Sequence, residues 1–108
     1  MSTFTLDELE ALIGARGQSV ADRSYTRSLL DAGVPRIAKK LGEEAIETVI
    51  AAIEGSRPQI VAEAADLVYH LMVLLHASNL SLGDVVAELG RRTHQSGLDE
   101  KASRRDSS

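Results

Sequence analysis

Apolar residues recur at intervals of three and four positions along most of the chain, which is the spacing of amphipathic helices. In the first such segment they are Leu6, Leu9, Leu12 and Ile13. Thr5 directly precedes this segment, and Glu8 lies three positions after Thr5. This spacing is typical of a capping box at a helix start. We therefore expect a first helix that lasts until Gly14 and Gly17, followed by a connector over residues 18–23.

Glycine and proline divide the next part of the chain into a short and a long helical segment. Residues 24–30 predict a short helix that stops near Gly33. Pro35 suits the first turn of the next helix, where a missing N–H costs little. That helix covers about residues 34–54 and ends at Gly55. Its apolar stripe consists of Ile37, Leu41, Ala45, Ile46, Val49, Ile50 and Ile53.

A second long helix follows after a very short turn. Residues 56–58 leave room only for a tight connection, so the helix over about residues 58–77 is predicted to lie antiparallel to the preceding one. Asn79 is its expected stop. Ser81 and Asp84 then predict the start of a last helix.

These segments place the chain in the all-α class. We expect a bundle of four to five helices in one domain over residues 1–94. Short helices leave more apolar surface than a 108-residue monomer covers easily, so we expect a homodimer or a larger homo-oligomer to complete the bundle. Residues 95–108 are polar and lack periodicity, which predicts a disordered tail.

Composition narrows the classes of function. Aromatic residues make up only 3%, which disfavours base stacking, and the net charge of −4 gives no general attraction to nucleic acid or anionic membranes. The absence of cysteine excludes disulfides and thiolate-bound metals. The first residues do not resemble a signal peptide, so a cytoplasmic location is expected.

One stretch, residues 60–77, is apolar enough to raise the question of a membrane span. It is interrupted by Glu63, Asp66, His70 and His76. Charged groups are costly at the centre of a bilayer, and the stretch is short for a span. We therefore predict a buried helix of a bundle, with no membrane partner.

Four acids on the two long helices carry the candidate chemistry. Glu44 and Glu47 are three positions apart and so share one helix face, as do Glu63 and Asp66 on the next helix. With a rise of about 1.5 Å per residue, antiparallel packing brings the two pairs level to within a few ångströms. We therefore predict that four carboxylates converge between two aliphatic helices.

Converging carboxylates repel one another and resist burial unless protons or a cation neutralise them. Oxygen ligands alone suit Mg²⁺, with Mn²⁺ as a possible substitute, better than zinc. Magnesium favours phosphate oxygens as further ligands, which points to phosphate chemistry. The alternative is a solvated face, because acids at this spacing commonly pair with lysines one turn away. Glu63 and Asp66 fit that alternative less well, since their sequence neighbours are almost all apolar.

The same acids belong to a family pattern. Glu43-Glu44-Ala45-Ile46-Glu47, followed by Glu63-Ala64-Ala65-Asp66, resembles the EExxE…ExxD signature of the all-α nucleotide pyrophosphohydrolases, the MazG-like superfamily. Three further segments resemble the phosphoribosyl-ATP pyrophosphatase family more specifically. They are Ser24-Tyr25-Thr26 with Leu29-Leu30, residues 37–44 and residues 64–75. The resemblance covers roughly residues 5–93; Leu41 stands where the pattern has Val, and the tail has no counterpart.

This resemblance implies magnesium-dependent hydrolysis of the α–β phosphate bond of phosphoribosyl-ATP, giving phosphoribosyl-AMP and pyrophosphate in histidine biosynthesis. It implies that the metal ligands are Glu44, Glu47, Glu63 and Asp66. Glu43 is the candidate to orient or deprotonate the attacking water, or to hold a second ion. Its alternative is a surface ion pair with Lys39.

The resemblance also implies a substrate-binding role for a polar segment and two lysines. These residues are Ser24, Tyr25, Thr26, Arg27, Lys39 and Lys40. Their alternative is a helix cap followed by amphipathic packing, with the lysines balancing the acids. His70, four positions after Asp66, is a candidate to hydrogen-bond a liganding carboxylate, and its alternative is a satisfied core histidine.

Two other functions fit part of the pattern. A house-cleaning pyrophosphohydrolase of the same fold, acting on deoxynucleotides or damaged nucleotides, would share the metal site and differ in the substrate segment. A non-catalytic helical dimerisation module would keep its acids solvated. A di-iron bundle fits less well, because Glu63 is followed three positions later by Asp66 and not by histidine.

Overall fold

Five α-helices form the part of the chain that this computed structural model describes, residues 3–18 and 24–93. They are α1 (Leu6–Gln18), α2 (Tyr25–Ala32), α3 (Val34–Glu54), α4 (Arg57–Ala77) and α5 (Leu82–Thr93). No strand occurs among these described residues, so the predicted all-α class is confirmed. Most of the predicted connector, residues 19–23, and the predicted tail, residues 95–108, lie outside the described residues.

Helices α2 and α5 start where their capping residues predict. The Ser24 hydroxyl accepts a 3.1 Å hydrogen bond from the backbone N–H of Arg27. Ser81 and Asp84 form a complete capping box: the Asp84 N–H donates to the Ser81 hydroxyl at 3.1 Å, and the Ser81 N–H donates to the Asp84 carboxylate at 2.9 Å. These bonds satisfy N–H groups that a helix start otherwise leaves without a partner.

The two long helices end in left-handed residues. Gly55 follows α3 with φ of 79°, and its N–H donates to the Ala51 carbonyl at 3.0 Å. Asn79 follows α4 with φ of 60°, and the next residue, Leu80, donates its N–H to the Leu75 carbonyl at 2.8 Å. This geometry satisfies the last carbonyls of each helix and turns the chain sharply.

Helix α1 starts as predicted, with the Thr5 hydroxyl accepting a 3.1 Å bond from the N–H three residues on, but it continues through both of its glycines. A Cβ on Gly17 would lie 2.8 Å from the side chain of Leu30 and 3.4 Å from that of His76. A Cβ on Gly14 would also meet His76, at 3.8 Å. The two glycines therefore allow α1 to approach α2 and α4 closely and do not end the helix.

Helices α3 and α4 pack against each other as the predicted antiparallel hairpin, and α1 and α2 cover one side of it. The core takes side chains from these four helices: Ile13, Leu29, Ile37, Met72 and Val73. Helix α5 has no buried residue and is attached to α1, where the Glu10 carboxylate accepts a 2.6 Å hydrogen bond from the Leu82 N–H. The hairpin is therefore the element that positions any site between α3 and α4.

Large apolar side chains remain exposed along both helices of the hairpin. On α3 they are Ile46, Val49, Ile50 and Ile53, and on α4 they include Val61, Val68 and Leu71. By length and composition alone, helix α4 could also cross a membrane. Buried core helices meet the same criterion. Its His70 is buried against α2 and its Glu63 contacts α3, which is the packing of a bundle helix.

The turn between α3 and α4 generates a stability prediction. Gly55→Ala should destabilise the fold by about 1 kcal/mol, because a Cβ at φ of 79° is strained although no atom lies within 4 Å of it. Gly42→Ala, in the interior of α3 with equally open surroundings, should stabilise by about 0.5–1 kcal/mol. Urea denaturation of both variants measures the difference, and equal effects would contradict the assignment of Gly55.

Candidate active site

Acidic side chains of α3 and α4 meet at the middle of the hairpin. One carboxylate oxygen from each of Glu44, Glu63 and Asp66 lies within 4.8 Å of the others. Glu47, one turn after Glu44, contacts the Glu63 carboxyl group. The structure thus brings together the four acids singled out from the sequence, which we call the acid cluster.

Two oxygens of the acid cluster are buried without a hydrogen-bond partner. They are Oε2 of Glu44 and Oε2 of Glu63, and no described donor reaches either. Only 8% of Glu44 is exposed. The other Glu63 oxygen, Oε1, accepts a 2.8 Å hydrogen bond from the Gln59 amide. Because a buried carboxylate without a partner is unfavourable, this arrangement calls for a neutralising ligand.

The pKa of Glu63 reflects the same close approach of carboxylates. Loss of hydration raises the pKa of Glu63, and contact with the neighbouring Glu47 carboxyl raises it further. The hydrogen bond from Gln59 lowers this pKa, and repulsion from Asp66 raises it. The net shift is upward because negative charges are held close together and partly away from water.

The donor set of the acid cluster fits a hard divalent cation. Its atoms are all carboxylate oxygens, which Mg²⁺ and Mn²⁺ prefer, and it offers neither sulfur nor nitrogen. The three oxygens lie within 4.8 Å of one another, close enough for a single cation to approach all of them. A cation would also supply the partner that the two buried Oε2 atoms lack.

Glu43 lies next to the acid cluster in a more open position. Its side chain is 47% exposed and its Oε1 is 4.0 Å from the ammonium group of Lys40. Lys40 is half-buried, whereas Lys39 is exposed. The ion pair of Glu43 therefore forms with Lys40, and among the described residues no pair joins Glu43 to Lys39.

His70 connects the acid cluster to helix α2. Its Nδ1 lies 2.7 Å from the backbone carbonyl of Asp66, and its Nε2 lies 3.0 Å from the hydroxyl of Tyr25. A carbonyl can only accept, so Nδ1 carries the ring proton and the Tyr25 hydroxyl donates to Nε2. His70 thus contacts the backbone of Asp66 and not a carboxylate, and it fixes the position of Tyr25 beside the hairpin.

The remaining residues of the α2 segment differ in their surroundings. Thr26 is buried, and its hydroxyl is hydrogen-bonded to that of Tyr69, which stacks on Tyr25 with ring centroids 6.2 Å apart. Burial raises the pKa of Tyr69. Arg27 donates to the Asp31 carboxylate at 2.9 Å, and Ser24 caps the helix. Of the segment, only Tyr25 combines a fixed position with a half-exposed ring.

Two polar residues of the hairpin were not singled out from the sequence. Gln59 holds one oxygen of Glu63, one turn earlier on α4. Arg36 lines a cavity of about 430 Å³ between α2 and α3, together with Tyr25 and Lys40. Spacing in the sequence could have indicated Arg36, because Arg36 and Lys40 precede Glu44 at intervals of four on one face of α3.

Comparison with known proteins gives matches over almost the whole chain. A family model described as phosphoribosyl-ATP pyrophosphohydrolase matches residues 6–93. The phosphoribosyl-ATP pyrophosphatase of Azorhizobium caulinodans is 55% identical over 103 residues, which are 95% of this chain and 94% of that protein. Phosphoribosyl-ATP pyrophosphatase 1 of Bradyrhizobium diazoefficiens is 53% identical over 98% of this chain and 100% of its own length.

The acid cluster predicts a specific response to magnesium. At about 100 times its dissociation constant, Mg²⁺ should stabilise the folded protein by about 2.7 kcal/mol, raising Tm by roughly 10 °C or more. Glu44→Gln should lose most of this rise and, without metal, melt at or above the wild-type temperature, because a buried unpaired charge is removed. Differential scanning calorimetry with and without MgCl₂ measures both quantities.

Asp7→Asn is the matched control for this measurement, since Asp7 is an exposed acid in the first turn of α1. It should keep the full magnesium response. An identical response in Glu44→Gln and Asp7→Asn would show that the cation binds elsewhere.

Proposed function

Since the chain belongs to the phosphoribosyl-ATP pyrophosphohydrolase family, we propose that it hydrolyses phosphoribosyl-ATP at a magnesium centre held by its acid cluster. It is a hydrolase of histidine biosynthesis. The reaction breaks the α–β phosphate bond: water adds to a phosphorus atom, and the products are phosphoribosyl-AMP and pyrophosphate. Manganese is the expected substitute for magnesium.

One observation supports the proposed magnesium centre most directly. Glu44 and Glu63 each bury a carboxylate oxygen that has no described hydrogen-bond donor, within reach of Asp66. A solvated acidic face would leave these oxygens in water, and a structural ion pair would place a lysine or arginine against them. A divalent cation explains both their burial and their convergence.

Each nearby residue then has a role that its position allows. Glu44, Glu63 and Asp66 would hold the Mg²⁺ ion, which would neutralise charge on phosphate oxygens and make a water more acidic. Glu43, beside the acid cluster and half-exposed, is placed to orient the attacking water and accept its proton. Lys40, one turn before Glu44, is placed to donate to a phosphate oxygen. Tyr25, held by His70, forms a wall of the substrate site.

A homodimer, or a larger assembly of this chain, is part of the same proposal. Ile53 is 80% exposed and Val61 is 69% exposed, on the two helices that also carry the acid cluster. Apolar side chains exposed to this extent along both helices mark an interaction surface. Pairing of hairpins from two copies would bury them and would stiffen the helices that hold the carboxylates.

The proposed reaction generates a prediction for metal and mutation. Phosphoribosyl-ATP hydrolysis should stop on addition of EDTA and return with Mg²⁺, and kcat/KM should fall about 100-fold or more in Glu44→Gln and Asp66→Asn. Release of pyrophosphate measures the rate. The exposed-acid variant Asp7→Asn should retain wild-type activity.

Assays with deoxynucleoside triphosphates beside phosphoribosyl-ATP separate the proposed function from its enzymatic alternative. A deoxynucleotide hydrolysed with the higher kcat/KM would make this chain a house-cleaning enzyme of the same fold. The absence of both a metal response and turnover of either substrate would indicate a non-catalytic module, whose acids stay solvated.

The dimer is tested by a matched pair of valines. Val49 on α3 is 57% exposed and Val86 on α5 is 55% exposed. Val49→Lys should convert the assembly to monomer in light scattering after gel filtration, because a charge then enters the apolar contact. Val86→Lys should leave the mass unchanged. A monomeric wild-type protein at micromolar concentration would contradict the proposal.

A further inference from the structure

We infer that Arg36 and Lys40 bind a second phosphate group of the substrate, in the cavity between α2 and α3 and apart from the acid cluster. The cavity measures about 430 Å³, within the size range of small-molecule sites. The inference rests on the proposed function, because it concerns how phosphoribosyl-ATP, which carries a triphosphate and a ribosyl 5′-phosphate, lies on the protein.

The charge of the cavity suits an anion. Its lining includes two cationic side chains, Arg36 and Lys40, and no carboxylate among the described residues. Lys40 pairs only loosely with Glu43, at 4.0 Å, and no ion pair of Arg36 occurs among the described residues. The first turn of α3 contains no acid, so the positive end of the helix dipole adds to the same potential.

Hydrogen-bonding capacity in the cavity is concentrated on the two cations. The Ser28 hydroxyl donates to the backbone carbonyl of Tyr25 at 2.6 Å, and the Tyr25 hydroxyl donates to His70. Both hydroxyl protons are therefore committed to protein acceptors. A phosphate in this cavity must take its hydrogen bonds from Arg36 and Lys40, and a guanidinium can bind two of its oxygens at once.

The position of the cavity separates its phosphate from the one at the acid cluster. Arg36, Lys40 and Glu44 follow one another at intervals of four along α3, so Arg36 lies about 12 Å before Glu44 along the helix axis. Lys40 stands between them and can contact a phosphate on either side. Arg36 is a full turn farther away, so its partner is a phosphate that the cation at the acid cluster does not hold.

Steady-state kinetics test the role of Arg36. Arg36→Gln should raise KM for phosphoribosyl-ATP about 10- to 100-fold and change kcat by no more than about twofold, as expected for lost binding of a charged group remote from the reacting atoms. Arg36→Lys should recover part of the loss. Arg57→Gln, which removes an exposed arginine at the opposite end of the hairpin, should leave KM unchanged. An unchanged KM in Arg36→Gln, or an equal rise in Arg57→Gln, overturns the inference.

Product inhibition identifies which phosphate occupies the cavity. Phosphoribosyl-AMP retains the ribosyl phosphate, and pyrophosphate retains the two phosphates that leave. A weaker inhibition by phosphoribosyl-AMP in Arg36→Gln assigns the ribosyl phosphate to the cavity, and a weaker inhibition by pyrophosphate assigns the terminal phosphate. Inhibition by both products at wild-type strength overturns the inference.

A binding measurement without metal distinguishes failure of this inference from failure of the proposed function. Ribose 5-phosphate and inorganic phosphate, titrated into the EDTA-treated protein and followed by NMR, should shift resonances of α2 and of the start of α3. Glu44→Gln, whose acid cluster is impaired, should bind as the wild type does, and Arg36→Gln should bind at least tenfold more weakly. No binding at millimolar concentration, or equal binding by Arg36→Gln, overturns the inference even if the enzyme is active.

Discussion

Mutual repulsion among carboxylates at the centre of the α3–α4 hairpin is the constraint that packing in the rest of the structure must overcome. Glu44 and Glu63 bury oxygens without donors, and Glu47 and Asp66 add negative charge beside them. Aliphatic packing elsewhere in the bundle must hold this arrangement against its own electrostatics. Protons or a bound cation would offset this cost, and the fold holds the carboxylates together without either.

Close packing around the hairpin explains how the assembly is held. Gly14 and Gly17 bring α1 against His76 and Leu30, so the outer helices press on the hairpin from one side. His70, one turn after Asp66, hydrogen-bonds both to α4 itself and to Tyr25 on α2. The position of Asp66 is thus coupled to that of α2 through two hydrogen bonds. The same buried ring therefore helps to set the position of Asp66 in the acid cluster and the position of Tyr25 on α2.

The sequence predicted the helices and the acids well because both depend on local rules. Caps such as Ser24 and Ser81 and the left-handed Gly55 mark helix ends through contacts within one turn. The register of the acids follows from one short turn and a fixed rise per residue. The end of α1 could not be predicted in this way. Gly17 resembles a helix stop signal in the sequence, and only the tertiary structure shows that the side chains of Leu30 and His76 lie close to it.

Side-chain contacts between helices that are distant in sequence could not be predicted from local patterns either. Spacing suggested that His70 would reach a carboxylate, but its partner Tyr25 is 45 positions away and is brought close only by tertiary packing. The sequence pattern does not distinguish Arg36, because an arginine on an exposed helix face is ordinary. Its significance depends on the cavity that α2 creates over it.

The order of charge along α3 connects these observations. One face of this helix presents Arg36 and Lys40 in its first half and Glu44 in its middle, over three consecutive turns. A protein of net charge −4 does not attract a polyanion by its overall field, so attraction must come from such local order. Under the proposed function, the cations at one end of the face and a metal ion held by the acid cluster farther along would give a polyphosphate two separated points of attachment, and two points fix its direction. The proposed orientation of the substrate along α3 thus rests on the order of charges on a single helix, and the hairpin that positions the acids would also determine which phosphorus atom faces them.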